Sequence, residues 1–313
     1  PAPATSFFSS LFSSFASTPS PAPTPAPLPE PEKDPLEEIG STVRLSIYAA
    51  EVSVRLDGRM NTELERATKK KPPSTSTYQL IYTGKDEYDA SKREDEKEFK
   101  DTGSVFQGLR ADLDGTGHAH VFIGHATAQT TGIGGHVAAR FIPTVERESI
   151  DLVDRNVSIW NKELLYIGGL LARAIYELEL TSIDELWTGA MGSSTSSPTD
   201  RDEEGDKTLR TWLQGRCLHV LQFFTFHPTT PSSIVAEHFR TAFFTSGATP
   251  NHSFPIISTL GVRPARDVRV YNAAFTGFLK NTPMLPPDVA REGRLMLGAA
   301  VFCLKEEGKQ DKV

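Results

Sequence analysis

Apolar residues along the chain first alternate with polar ones and then fall into helical stripes. Val43-Arg44-Leu45-Ser46-Ile47-Tyr48 has a period of two, continued in Val52-Ser53-Val54-Arg55-Leu56 before an Asp57-Gly58 turn, which predicts one bent strand or a pair. Tyr78 to Tyr82 predicts another strand. Ala119 to Ile123 and Val137 to Ile142 predict two more, joined by a Gly- and Thr-rich connection. Lys85 to Lys100 is dense in charge and reads as an exposed loop.

From Trp160 the period changes. Trp160, Leu164, Ile167, Leu171, Ile175 and Leu178 follow one another at spacings of four, three, four, four and three, which places them on one face of a helix that Asp154 or Asn156 can cap. The Ser- and Asp-rich break from Gly189 to Asp206 makes residues 182–207 a flexible insertion. Leu209, Trp212, Leu213, Cys217, Val220, Leu221 and Phe224 form a second stripe, closed by His227-Pro228 because a residue before proline disfavours helix. Pro231 to Phe244, with Val235, Phe239 and Phe243, predicts a short helix. Pro255 to Thr259 and Val268 to Val270 read as short strands or extended loops, and Ala274 to Lys280 and Pro287 to Leu304 as closing helices. The fold class expected is α+β: a mixed sheet packed on the Trp160 helix over residues 41–181, a mainly helical unit over 208–304, and a charged tail over 305–313.

Composition trims this picture at the N-terminus. Ten of the 22 prolines lie within residues 1–35, among serines, alanines and phenylalanines, so residues 1–40 read as a disordered Pro/Ala/Ser-rich linker. A net charge of −7 gives phosphate backbones no general attraction, and Lys69-Lys70-Lys71, running into Pro72-Pro73, reads as a solvated turn, so nucleic acid is not an expected partner. Nor is a membrane: the longest apolar run, Leu164 to Ala172, stops at Arg173, well short of the ~20 residues of a span. Cys217 and Cys303 lack paired-ligand spacing and read as buried thiols of a reducing compartment. With no basic region ahead of the N-terminal phenylalanines, a cytoplasmic or nuclear rather than secreted chain is expected, and one that is a piece of something longer.

Several segments could carry chemistry. Gly132-Ile133-Gly134-Gly135, after Gln129-Thr130-Thr131, offers amides and hydroxyls to a phosphate, or forms a tight structural loop; no P-loop lysine follows it. Asp112-Leu113-Asp114-Gly115-Thr116-Gly117 opens like a calcium loop, but Ile123 stands where the twelfth-position carboxylate belongs, so a glycine turn is expected. His118, His120, His125 and His136 lie close together without an obvious third ligand for zinc, and no Gly-x-Ser-x-Gly elbow supports a hydrolase. From Arg140 to Asp151 charged and apolar residues alternate. There Arg140, Arg147 and Arg155 can hold an anion with forked donors or bridge internally to Glu146, Glu148 and Asp151.

Val137-Ala138-Ala139-Arg140-Phe141, the turn arginine Arg147, and a helix opening Trp160-Asn161 with Leu164-Leu165 resemble the segment that follows the ATPase domain in sacsin-like members of the ninety-kilodalton heat-shock superfamily. The longer string from Gln129 to His136, with Asp154-Arg155, Trp160 to Leu165, Phe223 to Pro228 and Phe254 to Arg263, is similar to a family of large fungal proteins carrying such a histidine-kinase-like ATPase domain upstream. The resemblance implies a transducer-like βαβ unit that senses the nucleotide of a neighbouring ATP-binding domain and relays it to a helical region, with a chaperone role. ATP and magnesium would belong to that upstream domain, leaving this segment without cofactor, metal or catalytic residue of its own. Arg147 first and Arg140 second would face the nucleotide phosphate, with Thr130, Thr131 and Gly134 beside them. The family turn reads Asn-Arg-Arg where this chain has Glu146-Arg147-Glu148, so Arg147 alone carries over. Leu113 stands where an Asp-x-Gly-x-Gly box would place its Asp before Gly115 and Gly117. The upstream domain and protein clients are the implied partners; the alternative is a non-enzymatic protein-interaction scaffold of the same fold.

Overall fold

A computed structural model describes residues 44–98, 107–192, 203–246, 254–270 and 282–310. Contacts divide the chain into Pro1–Gly40, which lies outside those residues, and Ser41–Val313. The fold is α+β.

Strand β1 (Ser46–Ser53) pairs antiparallel with β2 (Thr75–Tyr82) along its whole length. Between them lies helix α1 (Gly58–Thr68), where a strand turn was expected. The reason is local: the Asp57 carboxylate accepts the Met60 amide at 2.7 Å and starts a helix, which Lys69 closes in the left-handed region at φ 58°. Lys69, Lys70 and Lys71 are exposed there. The charged stretch expected to be a loop is helix α2 (Lys85–Glu98), supported by ion pairing of Lys85 and Asp89 one turn apart and by side chains with good helix propensity.

Three short strands complete the sheet: β3 (His120–Phe122), β4 (Ala126–Thr130) and β5 (Val137–Ala138), in the order β1-β2-β5-β3-β4. The β3–β5 pair is parallel and the rest antiparallel, so the sheet is mixed. That parallel pair is joined through β4 rather than through a helix, while the strands flanking α1 are direct antiparallel neighbours. Strand β4 arises inside the Gly- and Thr-rich connection, and β5 stops well before Ile142 because the chain turns into a separate hairpin.

Helix α3 (Arg155–Gly192) crosses the molecule for 38 residues, its first amides, of Asn156 and Val157, capped by Asp154. Trp160, Leu164 and Ile175 are buried as the stripe requires, but Leu178 is 54% exposed, since further along the helix its buried side consists of Leu180, Ile183 and Trp187. The helix continues through Gly189 into the expected break; α4 (Glu203–Phe223) begins before that break was to end, and residues 193–202 lie outside the described chain. In α4, Leu213, Cys217, Val220 and Leu221 are buried, while Trp212 is exposed. Helix α5 (Ile234–Thr245) buries Val235, Phe239 and Phe243. Strands β6 (Pro255–Ser258) and β7 (Gly261–Pro264) form a small hairpin; β7 was not foreseen, and Val268 to Val270 makes only an isolated bridge from Arg269 to Met284. Helix α6 (Ala290–Gln310) takes in much of the expected charged tail, and Ala274 to Lys280 lies outside the described residues.

One core serves both spans that the sequence separated at 182–207. Tyr82 of β2 meets Phe223 of α4 with ring centroids 4.7 Å apart, and Tyr176 of α3 meets Phe243 of α5 at 5.5 Å. Close approach of α3 and α5 depends on Gly168-Gly169, where an added Cβ would strike Phe239. Cys217 and Cys303 are both buried. Among the described residues no helix is long and apolar enough to cross a membrane.

Candidate functional site: a braced arginine hairpin

The segment from Ile142 to Asp151 folds into a hairpin standing off the sheet. Pro143 bridges Ile150, the Thr144 amide donates to Ser149 O at 2.9 Å, and the Asp151 amide donates to Ile142 O at 2.9 Å. At the tip the Arg147 amide donates to Thr144 O at 3.0 Å, and Arg147 lies in the left-handed region at φ 61°. For a residue with a Cβ that conformation costs about 1 kcal/mol, and such strain is retained where surrounding bonds over-determine it.

Those bonds come from Trp160 and Asn161 on the first turns of α3. The Trp160 indole donates to Arg140 O at 2.8 Å. Asn161, fully buried, accepts the Ile142 amide at 2.9 Å and donates to Ile142 O at 2.8 Å and to Asp151 O at 2.7 Å, gripping both legs of the hairpin. On the sheet side the Ala128 amide donates to Glu148 O at 2.7 Å, and the His125 ring nitrogen Nε2 donates to Arg147 O at 3.2 Å. With its backbone satisfied, the tip presents side chains outward: Val145 is 95% exposed and Arg147 is exposed. Val153, at 93%, stands just past the base.

Arg140, Arg147 and Arg155 are exposed, and among the described residues none is ion-paired to Glu146, Glu148 or Asp151. Asp151 instead accepts the amides of Val153 and Asp154, so the internal-bridge alternative is not the one formed.

The glycine loop is the opposite case, and it corrects the expectation for three residues. Thr131 is wholly buried, its hydroxyl spent on Ile133 O and Gly135 O; the Thr130 hydroxyl accepts the Thr230 amide at 3.0 Å. The Gly134 amide donates to Phe223 O at 2.7 Å, and a Cβ there would lie 2.9 Å from the Phe223 ring. Gly132, at φ 78°, accepts the His227 amide. Gly134 therefore seats the end of α4 against the sheet, Thr130 holds the loop before α5 and Thr131 closes its own turn, so these donors are spent within the fold. The crevice left beside them is about 10 Å³, space for roughly one water molecule.

The remaining candidates resolve similarly. The Asp112 carboxylate is consumed by the amides of Thr116, Gly117 and His118 and by the Thr116 hydroxyl, as the anchor of a glycine turn. Burial alone would raise its pKa, but those bonds hold the carboxyl below its ordinary range. His136 is buried and its Nδ1 accepts the His120 amide at 3.0 Å, so the neutral ring carries its hydrogen on Nε2 and cannot offer that nitrogen to a metal. Burial, with His120 adding to it, depresses the His136 pKa; the Gly108 backbone beside Nε2 opposes this without reaching good hydrogen-bond geometry. No group of three or more metal-ligating side chains occurs among the described residues.

Residues 1–300 match a family described as a protein of unknown function (DUF3684), and the chain belongs to that family. No curated protein and no solved structure matches the chain.

Proposed function

We propose that this family member is the middle, transducer-like segment of a sacsin-like, heat-shock-chaperone-type ATPase, relaying the nucleotide state of an upstream ATP-binding domain to its own helices. The observation that carries the reading is the braced tip: an exposed arginine without an ion pair among the described residues, on a strained backbone that hydrogen bonds to the buried Asn161 hold fixed. With the hairpin backbone fixed beforehand, docking has only the side chain left to order, and the exposed guanidinium can meet the phosphate charge of a neighbouring domain in a desolvated interface. Val145 and Val153 supply apolar surface for that contact. Arg147 remains the first choice and Arg140 the second. In this reading ATP and magnesium are held by the upstream domain, this chain supplies no catalytic residue, and its setting is the cytoplasm or nucleus with protein clients rather than nucleic acid or lipid.

The second reading, a non-enzymatic scaffold, draws on one observation: exposed Glu146 and Glu148 flank Arg147 and disfavour a phosphate. ATP turnover by the full-length gene product separates the two. Arg147→Ala is expected to lower turnover ~100- to 1000-fold without lowering the melting temperature. Unchanged turnover in a stable variant would remove Arg147 from the relay, and a wild type that turns over no ATP would favour the scaffold.

A further inference from the structure

Strand β4 is at the end of the sheet, yet its outer backbone is engaged. The Ala128 amide donates to Glu148 O of the hairpin at 2.7 Å, and two residues on, the Thr130 amide donates to Thr230 O at 2.8 Å. Alternate amides of an extended strand point the same way, so the arginine hairpin and the loop before α5 are spliced side by side onto one edge.

Between them sits Gln129, fully buried. Its Oε1 accepts the Ser232 amide at 3.2 Å and the Ser149 hydroxyl at 3.5 Å; its Nε2 donates to Thr130 O at 3.0 Å and Ser232 O at 3.2 Å. The side chain thus spends its whole hydrogen-bonding capacity, and following a displaced hairpin would mean giving up bonds to the loop. The loop is tied onward. The Thr229 hydroxyl donates to Ser232 O at 2.6 Å and accepts the Ala236 amide at 3.3 Å, in the first turn of α5. Helix α5 then packs on α3 at Gly168-Gly169.

We infer that Gln129 is a positioning residue that couples the arginine hairpin to the Thr229–Ser232 loop and α5, so that a load on the tip is felt by the helices. The inference rests on the proposed relay only for what loads the tip; the coupling is a property of this chain. Position between two sites is not itself coupling, so the test is a double-mutant cycle read by amide hydrogen exchange. Ser149→Ala loosens the hairpin side alone, and is expected to speed exchange of the Thr230 and Ser232 amides roughly three- to tenfold. In a Gln129→Leu background the same substitution should leave those two amides unchanged. Gln129→Glu keeps the oxygen that accepts from Ser149 and Ser232 but loses the Nε2 donations, and should restore part of the response, which a residue needed only for packing would not show. Should Gln129→Leu fail to fold, the Gln129→Glu and wild-type arms form the comparison, with a smaller response expected in the glutamate variant. An equal response in both backgrounds, or none in wild type, would overturn the coupling whatever ATP turnover shows. A non-additive cycle in a parent protein indifferent to Arg147→Ala would support the coupling and overturn only the relay.

Discussion

The glycine loop at Thr130 to Gly135 and the arginine hairpin at Ile142 to Asp151 both look like anion sites in the sequence, and the molecule uses them in opposite ways. In the loop, amides and hydroxyls are the donors a phosphate would need, and they are turned inward onto Phe223, Ile133 and Gly135. In the hairpin the backbone is satisfied internally, and what is left over is a charged side chain facing solvent. The difference teaches that a donor-rich segment is a ligand site only to the extent that the fold has not already used its donors.

The largest effect that would break this comparison is expected at Gly134. Gly134→Val would drive side-chain atoms into the Phe223 ring and backbone, and overpacking of this kind costs about 3 kcal/mol. Thermal unfolding should show a clear loss of stability without any ligand present. A Gly134→Val protein as stable as wild type would mean that the loop is open after all, and would restore its three residues as phosphate candidates.

Asn161 tests the hairpin from the other side. Asn161→Ala leaves the Ile142 amide and the Asp151 carbonyl without their partner and takes one of two donors from the Ile142 carbonyl, at about 1 to 3 kcal/mol. The loss should appear as faster exchange at Ile142 and Asp151 as well as a lower melting temperature. If exchange there is unchanged, the hairpin is held by something other than this amide.

How much of this was legible follows from what each signal consists of. The Trp160 stripe was readable because a helix that packs on one side must repeat its apolar residues, and α4 and α5 were readable for the same reason. Helix α2 was not, since charged residues on all sides leave only propensity to mark it, and β4 was hidden in threonines and glycines. The core does not divide at 182–207, because α3 and α4 are both helical well into that stretch and Tyr176 of α3 packs on Phe224 just past the end of α4. In the site, Arg147 and Arg140 stood out as cations among apolar residues. Gln129 and Asn161 did not, because a buried amide reads like a surface one until the carbonyls it serves are in place.

Acid separates the two regions through what lies behind the loop. His136 and His219 have pKa values lowered by burial; the His136 Nδ1 accepts the His120 amide, which only the neutral ring can do, while the His219 Nε2 donates to Thr83 O, a bond that opposes the lowering. Above the ordinary value of 6.5 both states are neutral and stability is full. As pH falls below it, the unfolded chain takes up protons before the folded one, and stability declines until the folded pKa is passed. The loss is about 1.4 kcal/mol for each unit of depression. Melting temperature should therefore fall as pH drops below 6.5, with the His120 and His136 amides exchanging faster before those of the hairpin; a flat profile would show that these rings are solvated.

The smallest effect sharpens the comparison most, because it reverses the usual sign. Arg147 occupies the left-handed region, where glycine is at home and a residue with a Cβ is strained by about 1 kcal/mol. Against this, glycine makes the unfolded chain more flexible by a few tenths to 1 kcal/mol, so Arg147→Gly should leave stability near wild type or slightly raise it. Arg147→Ala keeps the strain and gains nothing. At a surface position with no ion pair among the described residues, a side chain that served only the fold would make neither substitution matter beyond these tenths. If the arginine is there for a partner, the glycine variant is the sharper tool: it should be at least as stable as the alanine variant and equally deficient in the partner-dependent activity. Strain tolerated at a position where glycine would fit better is then accounted for by the side chain. A glycine variant that is markedly less stable than alanine would show instead that the Arg147 side chain packs on the hairpin, and the tip would belong with the glycine loop as a structural turn.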